Sequence, residues 1–152
     1  PLAYYSAYFY RRSQKDGFDA ETMLQGIDRC RSEIKRINAK ADATAKEQDM
    51  LTTLEAVYEF YLRGFSFLNI DIYKSDAYKF EIEDGKLRIP FAAIDGIGSK
   101  AAEKLYETAQ NGDFISVDEF QQLSGASKAT IDALDALGAL GNLPKSNQLS
   151  LF

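Results

Sequence analysis

Apolar residues recur at helical spacing over the first sixty positions of the chain, then change period. In residues 1–12, Tyr4/Tyr5, Tyr8 and Phe9 share one helical face, and Pro1 occupies a first-turn position that tolerates a missing N–H. That spacing assigns the rings to a core rather than to stacking on bases. Residues 13–18 read as a turn around Asp16-Gly17. Asp19 then caps a helix on which Met23, Ile27, Cys30, Ile34 and Ile37 repeat at alternating steps of four and three, a narrow seam suited to an antiparallel partner. Arg29, Arg31, Lys35, Arg36 and Lys40 fall on its other faces and read as solvated. Residues 39–45 form a loop, Thr44-x-x-Glu47 has the form of a capping box, and the next helix carries Leu51, Leu54, Val57/Tyr58 and Tyr61 up to Gly64. The two helices predict a helical hairpin.

After Gly64 the pattern alternates. Phe65, Phe67, Ile70 and Ile72 predict short strands, and Tyr78-Phe80-Ile82 and Leu87-Ile89 flank Asp84-Gly85, a two-residue hairpin signal. Asp71, Asp76, Glu81, Glu83 and Asp84 include same-face pairs. With no phosphate-binding loop beside them, they read as solvent-facing strand positions rather than metal ligands. Helical spacing returns in residues 91–106, FAAIDGIGSKAAEKLY: Phe91 and Ile94, then Gly96-Ile97-Gly98, then Ala102, Leu105 and Tyr106. Shifted by 29 positions, the same register falls on Phe120, Leu123, Gly125, Ala126, Ser127, Ile131 and Leu134. FQQLSGASKATIDAL is thus a degenerate second copy, with Ser127 replacing the second glycine and Ile131 the small Ala102. Glycines close the last helix in Leu137-Gly138-Ala139-Leu140-Gly141.

Composition narrows the chemistry. The 152 residues contain no histidine and one cysteine, Cys30, at an apolar helical position. This removes disulfides, a cysteine metal cluster and the commonest general base, and points to a reducing cytoplasm. There is no apolar run of membrane-spanning length and no signal peptide. Pro1 opens in the middle of a helical pattern, as expected of a piece of a longer chain. The net charge of −5 argues against a free-standing nucleic-acid binder. Between positions 86 and 104, however, Lys86, Arg88, Lys100 and Lys104 outnumber Asp95 and Glu103.

Residues 91–106 match the helix-hairpin-helix motif at every defining position. Gly96 and Gly98 allow φ > 0 and, with Ile97, let a phosphate approach the main chain. Their N–H groups and those of Ser99 and Lys100 stand at a helix start, where the dipole favours an anion. Lys100 and Lys104 lie one turn apart on that helix. The first hairpin is the expected phosphate grip; Ser127 and Lys128 of the second are minor contacts. A plain helical corner, with glycines serving only packing, is the alternative. A dinucleotide fingerprint on Gly96, Gly98 and Ala101 is excluded, because Ile89-Pro90 precedes it and no second strand follows. The fold expected is mainly α with a small antiparallel β element: a helical hairpin, a short β-hairpin, then a tandem helix-hairpin-helix domain. At the terminus, Leu149, Leu151 and Phe152 fit an apolar pocket on a partner, with the Gln148 amide fixing register. The other reading of the tail is that it folds back on its own core.

Gln148-Leu149-Ser150-Leu151-Phe152 looks like the pentapeptide with which bacterial replication proteins bind the sliding clamp. With PLAYYSAYF, GFSFLNIDIYKSDAYKF, IPFAAIDGIGSKAAEKL and LPKSNQLSLF in this order, the chain resembles the carboxy-terminal region of PolC-type DNA polymerase III α subunits of low-GC Gram-positive bacteria. The resemblance implies the last part of the fingers in 1–89, a duplex-binding tandem helix-hairpin-helix domain in 90–143 and an extended clamp-binding tail in 144–152. It implies as partners sequence-independent duplex DNA, the clamp and the remainder of the polymerase, and no membrane. The family enzyme extends DNA with Mg²⁺ held by palm aspartates, which would lie upstream of Pro1. This chain is therefore expected to carry no catalytic residue, no resident metal and no activity alone. A monovalent cation at the first hairpin would be held by the carbonyls of Ile94, Gly96 and Ile97. The alternatives are a protein-interaction module and a helix-hairpin-helix accessory domain of another replication or repair protein, such as a nuclease or ligase. A stand-alone enzyme lacks support, there being no activated nucleophile and no phosphate loop.

Overall fold

The computed structural model describes residues 1–15 and 17–146; Asp16 of the first turn and the tail residues Gln148, Leu149, Leu151 and Phe152 lie outside them. Helix α1 (Leu2–Ser13) buries Tyr5 and Phe9 and leaves Tyr4 exposed. Of the rings expected to line a core, Tyr5 and Phe9 do so and Tyr4 does not: Tyr5 and Phe9 pack on Phe60, and Phe9 also meets Phe18, Phe67 and Phe80. Arg12 ties α1 to the hairpin helix beside it, its Nε donating to Thr53 Oγ1 at 2.9 Å.

The single helix expected after Asp19 is two. Asp19 caps α2 (Ala20–Met23), accepting from Glu21 N–H, and the chain then breaks before α3 (Ile27–Asn38). Gly26 causes the break: at φ 95 it holds a left-handed conformation that a continuous right-handed helix does not contain. The apolar spacing carries across because both segments face the same core, with Met23, Cys30 and Ile37 all buried. Burial pushes the Cys30 thiol up to about 11, which keeps it protonated.

Helix α4 (Ala45–Leu62) packs antiparallel to α3 and begins with the expected capping box, Thr44 Oγ1 accepting from Glu47 N–H and Glu47 from Thr44 N–H. Glu47 also accepts from Lys40 Nζ at 2.8 Å and pairs with Arg36, so its carboxyl stays ionised down to about pH 2. Gly64, at φ 88, ends α4 in a Schellman arrangement, with Gly64 N–H donating to Tyr61 O and Phe65 N–H to Phe60 O.

The sheet has three strands in the order β1 (Phe67–Leu68), β3 (Lys86–Arg88), β2 (Glu81–Glu83). β2 and β3 form the expected antiparallel hairpin over Asp84 (φ 52) and Gly85 (φ 75). β1 instead runs parallel to β3, which makes the sheet mixed. Ile70 and Ile72 are buried in the connection between them rather than in a strand. The acids there serve local geometry: Asp71 and Asp76 accept backbone N–H groups of the turns that follow them, and Glu83 pairs with the buried Arg88 at 2.6 Å. Among the described residues no group of three or more His, Cys, Asp or Glu could hold a metal, and no helix is long and apolar enough to cross a membrane.

A short 3-10 turn (Phe91–Ala93), then α5 (Ser99–Gln110), α6 (Val117–Ser124) and α7 (Lys128–Ala136) complete the fold. Buried apolar residues from Tyr5 to Leu140 form one continuous cluster. Backbone bonds join the parts: Phe91 N–H to Asp76 O (3.0 Å), Ala92 N–H to Ala77 O (2.9 Å) and Ile72 N–H to Ala139 O (3.2 Å). Beyond α7 the chain returns to the start of α6, where Val117 and Asp118 N–H donate to the Pro144 and Lys145 carbonyls at 2.8 and 3.2 Å.

Candidate nucleic-acid interface

The first glycine turn follows from the sequence around it. Ile97 N–H donates to Ile94 O at 3.2 Å and closes a tight turn, with Gly96 at φ 80 inside it. Ile94 is buried and Ile97 packs against the core, so their side chains anchor the turn from within while Asp95, Gly96 and Gly98 stay exposed. Gly98 departs from the expectation of a positive φ. It is the N-cap of α5, at φ −81 and ψ 158, an extended conformation open to any residue. A Cβ added there meets nothing within 4 Å. Neither backbone strain nor internal packing therefore requires glycine at this position.

No side chain caps α5. The first-turn N–H groups of a helix have no intrahelical partner, so the exposed Ser99 and Lys100 present theirs beside a bare glycine. Lys100 and Lys104 are exposed on the same helix. The Ile94 carbonyl already accepts from Ile97, which leaves it one lone pair for the cation considered above.

The second turn repeats the backbone but not the surface. Gly125 is left-handed at φ 68, matching Gly96, and Ser127 sits at φ −69, ψ 160, matching Gly98. Here the Ser127 hydroxyl accepts from Thr130 N–H at 3.1 Å and caps α7. The Gln121 amide donates to Ala126 O at 3.3 Å. The donors and acceptors of this turn are partly satisfied from within, and the exposed Asp132 and Asp135 follow on α7, although Lys128 is exposed beside the turn. Leu123 corresponds to Ile94, yet 54% of it is exposed, against 7% for Ile94. The bulkier Ile131, in place of Ala102, is buried in the same repeat.

Two residues near the first turn carry no sequence signal that points to it, and one of them, Tyr78, expected in a strand, lies before β2. The Tyr78 hydroxyl lies against Ser99 O (2.9 Å) and the Glu103 carboxylate, which fixes the start of α5 to the segment before β2. Burial and the neighbouring Glu103 push that phenol up to about 12, so it remains a donor. Lys46 Nζ, from the first turn of α4, reaches Asp95 Oδ1 at 3.0 Å. These partners are far apart along the chain, and no periodicity connects them.

The family described as a helix-hairpin-helix motif matches residues 64–149, more than half of the sequence. The chain belongs to the helix-hairpin-helix family. The chain is 42% identical over its whole length to a DNA polymerase III PolC-type of Caldanaerobacter subterraneus subsp. tengcongensis. It is 41% identical, again over its whole length, to DNA polymerases III PolC-type of Streptococcus pyogenes and Clostridium perfringens. It covers 11% of the first relative and 10% of the other two, so this helix-hairpin-helix chain spans about a tenth of their length. The resemblance to PolC-type DNA polymerase III drawn from the sequence stands.

Proposed function

We propose that this chain is a non-catalytic segment of a replicative DNA polymerase that holds duplex DNA by its backbone and tethers the enzyme to a sliding clamp. In this reading residues 1–89 belong to the fingers, 90–143 grip the duplex and 144–152 reach the clamp. The observation that carries the duplex grip is Gly98, a surface glycine that its own fold does not require, at the uncapped start of a helix. A phosphate oxygen approaching the N–H groups of Gly98, Ser99 and Lys100 needs the space that a Cβ would fill. Lys100 and Lys104 add charge toward it, and Ser127 and Lys128 contribute less. The clamp contact through Gln148, Leu149, Leu151 and Phe152 is supported by the peptide pattern.

Titration of a mixed-sequence duplex by fluorescence anisotropy tests the grip. Gly98→Val is expected to bind about tenfold or more weakly, because hydrogen bonds to a charged group are worth roughly 1.5–3 kcal/mol, with circular dichroism unchanged. Binding equal to the parent's would falsify the assignment of this turn. A bacterial sliding clamp titrated with the full chain and with one ending at Asn147 tests the tether, and equal affinity of the two rejects it. The net charge of −5 favours a second reading, a protein-interaction module in which the hairpins are only scaffold; absence of duplex binding even at low salt is its signature.

A further inference from the structure

We infer that Lys46 is a positioning residue for the first glycine turn: it neutralises the acid built into that turn and so keeps its surface open to a phosphate. The inference rests on the duplex-gripping role proposed for the turn. Asp95 directly precedes Gly96 and is 53% exposed, so it puts a negative charge on the turn whose N–H groups are offered to an anion. A negative charge there opposes phosphate binding. The second repeat lacks this conflict, since its corresponding residue is the buried, neutral Ser124, whose hydroxyl accepts from Ala126 N–H.

Lys46 supplies the counter-charge from a different part of the chain. It lies in the first turn of α4, where the helix dipole disfavours a cation. The capping box of Thr44 and Glu47, with Lys40 and Arg36 holding Glu47, fixes the backbone on which Lys46 stands. Its ammonium meets Asp95 Oδ1 at 3.0 Å with 59% of the side chain exposed. A pair this open adds little to folding stability. Its effect falls instead on the potential at the turn, where it offsets the carboxylate and leaves the field to the backbone N–H groups, Lys100 and Lys104.

A double-mutant cycle on the full chain, read by duplex titration at about 50 mM and about 200 mM salt, tests this. Lys46→Gln is expected to weaken binding about fivefold at low salt, the order of losing one neutralising charge near the turn, while Lys46→Arg retains the parent's affinity. In an Asp95→Asn background the same Lys46→Gln change is expected to matter by less than about twofold. Circular dichroism of each variant checks the fold. If Lys46→Gln costs as much in the Asp95→Asn background as in the parent, the lysine touches phosphate itself and the neutralising role is wrong. If it costs nothing in either background while the parent binds, Lys46 has no part in the grip. A parent that binds no duplex overturns the gripping role and this one with it.

Discussion

Glu47 accepts hydrogen bonds from Lys40 and from the Thr44 N–H and pairs with Arg36, and these partners hold its carboxyl at about 2, against an ordinary value of 4.5. The Lys40 ammonium is the largest cause and the Thr44 N–H the next. A carboxyl whose pKa is lower in the folded than in the unfolded chain stabilises the fold above its unfolded value and loses that contribution as pH falls through its folded one. The α3–α4 hairpin is therefore expected to lose stability between about pH 4.5 and about pH 2. Thermal midpoints measured across that window should fall, and Lys40→Gln should shrink the fall by removing the main partner. An unchanged slope in that variant would place the acid sensitivity elsewhere, with Glu33, also held down by Arg36, the next group to test.

At the scale of elements, the difference between the two helix-hairpin-helix units that bears on anion access is the hydroxyl at the helix start. Ser127 spends its oxygen on Thr130 N–H, whereas Gly98 leaves the start of α5 uncapped. Ser127→Gly is expected to cost a few tenths of a kcal/mol, the usual penalty for exchanging a serine N-cap for glycine, and to tighten duplex binding by exposing the second turn. Chemical denaturation and the anisotropy titration measure the two effects; weaker duplex binding would mean that the hydroxyl itself touches the backbone. Each glycine turn, the capping box at Thr44 and the Asp84-Gly85 turn were legible in the sequence because each depends on residues within a few positions. What escaped was either conformational or distant. Gly26 fits the apolar spacing of one helix, and only its left-handed φ splits the helix in two. The parallel pairing of Phe67 with Leu87, the clasp of Tyr78 on Ser99 and the reach of Lys46 to Asp95 join positions that no short window contains.

For the whole molecule, the continuous apolar cluster binds the helical hairpin, the sheet and the two glycine-turn repeats into one packed body. Asn69 Nδ2 donates to Leu137 O at 2.5 Å and Ile72 N–H to Ala139 O, so the end of α7 rests on the segment after β1. Thermal unfolding is expected to be a single transition, with far-ultraviolet dichroism and tyrosine fluorescence coinciding. A repeat domain melting apart from the first half would separate the two signals.

The return of the chain to α6 has a mechanical side. Whatever pulls on the residues beyond Ser146 loads the Pro144 and Lys145 carbonyls, and through them the N–H groups of Val117 and Asp118. The force enters the body at the foot of α6 and need not cross the Gly96 turn first. In a polymerase tethered through this tail, drag from a moving clamp would then be borne by the self-capped repeat, leaving the bare-glycine turn mechanically quiet on the duplex.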